Sequence, residues 1–266
     1  MKISLKNICL GIATFLILFP RISEAILLSE LTLKEGQRIG IYIGTFDPIH
    51  VGHSSVVEQS LKDGKLDYVL VIPNSAAHKP NALPFIHRLQ MVKSLYEDSP
   101  NIVVPDGPEI GNDIAYSFLD KVNSQKLPAV RLIQIYGDDV VASVETQRKE
   151  RAQYKGISEW IIMARSDESI GQIDEIKKAL VKENPDLKIQ VLKSTDPGHS
   201  STKIKASIAH AHEGKKVSDL DERVLSYIKA EGLYQIPKGN VLVNQEADKC
   251  SILYRSLGDF NVPEAE

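Results

Sequence analysis

His50 and His53 flank Gly52 at the end of the run Gly40-Ile41-Tyr42-Ile43-Gly44-Thr45-Phe46-Asp47-Pro48-Ile49-His50-Val51-Gly52-His53. A neutral imidazole donates one hydrogen bond, and a charged one donates two. The apolar start of the run reads as a buried strand, which breaks at Gly44 and turns through Asp47-Pro48. An amphipathic helix is expected over 51–61. Backbone N–H groups and the positive end of a helix dipole then sit beside both imidazoles, and that arrangement suits a phosphate. Gly52 keeps the backbone open to such an approach. A tight turn with two satisfied surface histidines is the structural alternative. Asp47-Pro48 is expected to shape the turn more than to do chemistry.

A second run, His199-Ser200-Ser201-Thr202-Lys203-Ile204-Lys205, places hydroxyls and cations at another expected helix start. Taken alone, these residues read as ordinary helix caps. Gly137-Asp138-Asp139 closes a further apolar strand.

These residues need a scaffold. Strands are expected over 38–43, 68–72, 102–104, 130–136, 160–164 and 187–192. Helices are expected over 51–61, 85–98, 113–125, 170–181, 200–213 and 219–231. Alternation at these lengths means βαβ units: a doubly wound α/β domain with a parallel sheet covered on both faces. Ligands of such sheets bind beyond the carboxyl ends of the strands. The 44–53 loop and Gly137-Asp138 both lie at such ends and should line one crevice.

The His50-Val51-Gly52-His53 run after Gly44-Thr45-Phe46-Asp47-Pro48 resembles the H-x-G-H fingerprint of the nucleotidylyltransferase superfamily. Its bacterial nicotinate-mononucleotide adenylyltransferase branch is the most similar. Ser200-Ser201-Thr202-Lys203-Ile204 resembles the superfamily's S-S-T-x-I-R, with Lys205 where the family has arginine. Lysine keeps the charge and loses the bidentate fork. Weaker matches follow in order. They are Ala77-His78-Lys79, Arg88-Leu89-Gln90-Met91, 106–110, 112–119, Gly137-Asp138-Asp139, Ala164-Arg165, and 224–228 with Leu233-Tyr234. Lys79 and Arg88 would otherwise read as solvated charges. Together the matches span 39–234. The branch usually has a tryptophan soon after its G-A-D, and 140–156 has none; Tyr154 could substitute.

The resemblance implies an enzyme that transfers AMP from ATP to nicotinate or nicotinamide mononucleotide and releases pyrophosphate. It implies His50, His53 and Lys205 as catalytic groups. Gly44, Thr45, Phe46, Lys79, Arg88, Gly137, Asp138, Arg165, Ser200, Ser201 and Thr202 would bind substrate. Mg²⁺ would arrive on the ATP phosphates, and no Cys/His cluster has the spacing of a protein-held zinc. Phosphopantetheine or a sugar or alcohol phosphate remains open as acceptor. So does an exported nucleotide-binding module without turnover. No G-x-G-x-x-G follows the first strand, which disfavours a hydride-transferring dinucleotide enzyme.

Composition bounds the rest. The chain has 266 residues, 42% hydrophobic and 25% charged, with a formal net charge of -3, so long nucleic acid is not an expected partner. Lys2 and Lys6, the apolar run 8–19 and Ser23-Glu24-Ala25 have the layout of a secretory signal peptide. Residues 1–25 are therefore expected to be a leader, 36–236 the catalytic domain and 237–266 a peripheral tail. The apolar run is short for a membrane span, so none is expected in the mature chain. Export to a periplasm or the exterior follows if the leader is cleaved; otherwise the chain is cytoplasmic. Cys9 would leave with the leader and Cys250 would then stand alone. Oligomeric state stays open.

Overall fold

A computed structural model describes residues 31, 33–76, 79–105, 130–139, 157, 159–196, 198–211 and 217–234. The elements are β1 (Arg38–Gly44), α1 (Val51–Lys62), β2 (Tyr68–Pro73), α2 (Phe85–Tyr96), β3 (Ile102–Val103), β4 (Arg131–Gly137), β5 (Glu159–Ala164), α3 (Asp167–Glu183), β6 (Lys188–Lys193), α4 (Ser201–Ala211) and α5 (Glu222–Ala230). The six strands form one sheet in the order β3-β2-β1-β4-β5-β6. Every pairing is parallel. The chain is a doubly wound α/β fold, as its alternating pattern requires.

Strand sequences explain the burial. β1, β2, β4 and β5 are rich in isoleucine and valine because both of their faces are covered. One face packs Tyr42, Val69, Val71, Ile133, Ile135, Ile161 and Met163 against Val57, Leu89, Val92, Ile204, Val224 and Ile228 of helices α1, α2, α4 and α5. On the other face, Tyr136, Ile162 and Ala164 meet Ile173 and Leu180 of α3. Leu31 and Leu33 cover Ile39, Ile41, Leu70 and Ile72 there.

Strand order reverses between β1 and β4, whose neighbouring residues include Tyr42 and Ile135. The carboxyl ends of these two strands, Gly44 and Gly137, flank the point where a doubly wound sheet opens a crevice.

Two helices begin elsewhere than the hydrophobic periodicity predicts. α3 starts at Asp167 instead of 170, because the Ser166 side chain caps it by accepting from Ser169 N at 3.0 Å. Asp167 and Glu168 in its first turn also complement the dipole. α5 starts at Glu222 instead of 219. Asp221 is its cap and accepts from Arg223 N at 2.9 Å, which leaves Asp219 free for another task. The expected leader 1–25, the helix 113–125, the segments 106–110 and 112–119, His78, Tyr154 and the tail 237–266 lie outside the described residues.

Candidate active site

The β1–α1 loop is built around one buried aromatic ring. Phe46 has φ +50°, in the left-handed region that bulky residues rarely adopt. This turn tucks its ring under the loop, where it is 1% exposed. A Cβ on Gly44 would lie 2.7 Å from that ring, so only glycine fits there. Phe46 meets Tyr42 edge-on at 5.4 Å between centroids and His53 at 5.1 Å. Phe46 was expected on substrate; buried this deeply, it serves as the floor on which His53 rests.

His50 is the N-cap of α1, with extended backbone. Its carbonyl accepts from the backbone N–H of His53 at 2.8 Å and of Ser54 at 3.1 Å. In return its own N–H donates to Nδ1 of His53 at 3.3 Å. An acceptor Nδ1 puts the proton of neutral His53 on Nε2, the nitrogen left to donate to a ligand. The two imidazoles lie 3.8 Å apart, tilted by 35°. His50 is 6% exposed, and its Nδ1 has no hydrogen-bond partner among the described residues.

Both rings are neutral at physiological pH. Burial pulls the His50 imidazole down to about 4, helped by the charge of His199 and opposed by Asp219. Burial also holds His53 well below the ordinary histidine value, with further depression from His50, Arg165 and Lys79. Lys79 is exposed.

The second motif joins the first. Ser200 supplies the carbonyl that accepts from Ile204 N at 3.0 Å and so begins α4. Ser201 Oγ donates to the carbonyl of Pro48 at 3.3 Å, across 153 residues of sequence. Thr202 is exposed beside it. Gly137-Asp138 meets Arg165 at the ends of β4 and β5. Asp138 accepts from Arg165 N at 2.9 Å and pairs with its Nε at 3.2 Å, while Asp139 pairs with its Nη2 at 3.1 Å.

Asp47 is buried, and it does more than shape a turn. Its carboxylate accepts from Tyr234 at 2.6 Å and from Lys205 Nζ at 2.8 Å, and from Leu83 N at 3.4 Å. Burial and the Asp47 charge raise the Tyr234 phenol, so it remains a donor. Lys205 was expected on a triphosphate; the structure turns its ammonium onto Asp47. The side chain is still 34% exposed, and an ammonium has three donors.

Arg88 also departs from expectation. It is 1% exposed, neither a solvated charge nor a group facing the crevice. Its guanidinium donates to three backbone carbonyls: Leu83 at 2.9 Å, Thr45 at 2.6 Å and Asn74 at 2.8 Å. These belong to the loops after β1 and β2, so Arg88 holds the crevice walls together from beneath.

Residues 41–207 match the family model described as cytidylyltransferase-like. The chain belongs to the cytidylyltransferase-like family. It is a nucleotidyltransferase of the H-x-G-H superfamily, and the resemblance to the nicotinate-mononucleotide branch extends to whole proteins. A protein of Neisseria meningitidis serogroup B named "Probable nicotinate-nucleotide adenylyltransferase" is 26% identical over 203 residues, covering 75% of this chain and 99% of its own. A protein of the same name from Gemmatimonas aurantiaca is 27% identical over 221 residues, covering 76% and 95%. The solved nicotinic acid mononucleotide adenylyltransferase of Plasmodium falciparum, complexed with NaAD, superposes with a TM-score of 0.54 at 17% identity. It covers 76% of this chain and 98% of its own, and at that identity the likeness is one of fold.

Three features of the site escaped the motifs. Asp47 is the hub of a Tyr234–Asp47–Lys205 contact. Arg88 is an internal clamp. His199, read only as the residue before the serines, sits between two carboxylates near His50. The spacing Asp196-x-x-His199 was the one available signal for the last of these.

Proposed function

We propose that this cytidylyltransferase-like protein transfers AMP from ATP to nicotinate mononucleotide, releasing pyrophosphate and forming a dinucleotide. The observation that carries the reading is the His50/His53 pair on the α1 N-terminus at the sheet's switch point, tied to the α4 start through Ser201 and Pro48. The relatives, named as probable nicotinate-nucleotide adenylyltransferases, support adenylyl transfer and a pyridine mononucleotide as acceptor.

An oxygen of the acceptor phosphate attacks the α-phosphorus of ATP in line. The bond from that phosphorus to the bridging oxygen breaks, and pyrophosphate leaves with the electron pair. No protein nucleophile is required. His53 Nε2–H and the α1 N-terminus stabilise charge gathering on the departing oxygens. Both imidazoles are neutral before ATP binds, and the bound polyanion favours their protonation as charge develops. Ser200, Ser201 and Thr202 offer donors at the α4 start, and Lys205 offers a cation one turn further on. Mg²⁺ enters as part of the ATP substrate, held by its phosphates. Arg165 and Lys79 supply positive potential near the histidines.

The ion pair between Lys205 and Asp47 favours one other reading: a nucleotide-binding module without turnover, its cation already neutralised. Pyrophosphate release decides between them. With ATP fixed, the assay is run against nicotinate mononucleotide, nicotinamide mononucleotide, phosphopantetheine and a sugar phosphate. The proposal expects release with the pyridine mononucleotides, fastest with the nicotinate form. Release with none of the four overturns it.

A further inference from the structure

We propose that His199 is a positioning residue of this site. Clamped between the carboxylates of Asp196 and Asp219, it ties the loop before α4 to the loop before α5 and so sets the place of His50 and the α1 N-terminus. The inference rests on the reading of this crevice as a nucleotide site.

The geometry carries it. His199 Nε2 is hydrogen-bonded to Asp196 Oδ1 at 2.5 Å, whereas Nδ1 lies at ion-pair distance, 3.3 Å, from Asp219 Oδ2 and has no hydrogen-bond partner among the described residues. The imidazole is 16% exposed. Asp219 works at both ends: its side chain faces His199, and its carbonyl accepts the Val51 N–H at 3.1 Å. That N–H is the first donor of α1. A Cβ on Gly52 would lie 3.0 Å from His199 Cβ and 3.1 Å from His50 Cε1, so α1 backbone packs directly on the clamped residue. The His199 and His50 rings are 6.3 Å apart. Two residues along from His199, Ser201 bonds the carbonyl of Pro48. Loosening His199 therefore releases the catalytic loop on two sides.

A neutral imidazole holds Asp196 through one hydrogen bond; only an imidazolium also pairs electrostatically with Asp219 across the 3.3 Å gap. The clamp is complete only when His199 is charged. Burial works against that charge, but the Asp196 hydrogen bond and the negative charges of Asp196 and Asp219 outweigh it and raise His199 above the ordinary histidine value. The groups acting across the site are Asp196 on its own loop, Asp219 before α5, His50 at the α1 start and Arg165 at the end of β5. Because the folded value is raised, the clamp is whole below the ordinary histidine range and is lost as pH climbs through the raised value.

The test measures ATP binding with Mg²⁺ and no acceptor, by calorimetry from about pH 5.5 to about 9, alongside NMR titration of the histidine rings. Wild type is compared with His199→Gln and Asp196→Asn. The ratio of wild-type to His199→Gln affinity removes the ionisation of ATP itself. It should be about three- to tenfold at low pH, the scale of one ordinary hydrogen bond, and approach one at high pH. Its midpoint should match the His199 resonance. Asp196→Asn should move the His199 resonance and, with it, the pH dependence of ATP affinity to lower pH, a change that a merely structural residue would not produce; the wild-type to Asp196→Asn affinity ratio across the pH range decides the matter alone if His199→Gln fails to fold. In His199→Gln, the His50 titration should move upward. A pH-independent ratio, or an unmoved His199 resonance in Asp196→Asn, overturns the proposal. Absence of turnover with ATP binding intact would sink the adenylyl-transfer reading and leave this test standing. ATP that does not bind at any pH overturns both.

Discussion

Arg88→Met removes a buried cation from the underside of the crevice while roughly keeping side-chain volume. Three carbonyls, of Leu83, Thr45 and Asn74, lose donors at 2.6–2.9 Å. Hydrogen bonds from a charged group contribute about 1.5–3 kcal/mol each, so the three set a ceiling of roughly 5–9 kcal/mol. The net loss is smaller. The guanidinium no longer has to be desolvated, and loop carbonyls can shift toward water. Each buried carbonyl left without a donor costs about 1–3 kcal/mol, so with partial relaxation about 3–5 kcal/mol is the expected range here. At about 2–4 °C per kcal/mol for a domain of this size, the melting temperature should fall by roughly 6–20 °C. Differential scanning calorimetry reads this directly. Arg88→Lys should recover only part of the loss, because an ammonium cannot span three carbonyls in a planar fork. The opposite expectation, that Arg88 binds substrate, predicts an unchanged melting temperature and a raised KM. If Arg88→Met melts within about 2 °C of wild type while the KM for ATP rises tenfold or more, the clamp is wrong and Arg88 is a ligand.

Lys205→Ala should weaken apparent ATP affinity by roughly tenfold, the loss of one charge-assisted hydrogen bond, while Lys205→Arg should match or exceed wild type; steady-state kinetics varying ATP at saturating acceptor check both. Tyr234→Phe removes the 2.6 Å donation to Asp47 and should cost about 1–3 kcal/mol in urea melts with kcat nearly intact. Gly52→Ala forces a methyl against His199 and His50 at 3.0–3.1 Å, and should lower kcat more than it lowers the melting temperature.

The sheet was legible because buried strands such as Tyr68–Pro73 and the Trp160–Ala164 stretch of β5 are almost wholly apolar and alternate with helices. The crevice was legible from topology alone, since glycines ending β1 and β4 must meet where a doubly wound sheet reverses. Helix starts were less so. Ser166 and Asp221 cap their helices through side-chain bonds that apolar periodicity does not encode. Least legible were the buried polar contacts. Arg88 looks like any helix-surface charge until Thr45, Asn74 and Leu83 are folded over it. Tyr234 and Asp47 are 187 residues apart, and nothing local in either stretch announces their bond. His199 is hidden in the sequence because the serines after it match a fingerprint and it does not.

The central claim is that this crevice moves AMP onto a pyridine mononucleotide with His53 stabilising the departing charge. Its most direct test uses ATP labelled at the α-phosphorus, with nicotinate mononucleotide as acceptor and purified wild-type and His53→Ala proteins. The account predicts that wild type carries the label into a dinucleotide with one pyrophosphate released per label transferred. Loss of this donor should cut the rate by about 10²–10³ in a variant whose fold, read by circular dichroism, is unchanged. Label that stays on ATP in wild type, or a His53→Ala protein that turns over near the wild-type rate, would contradict it.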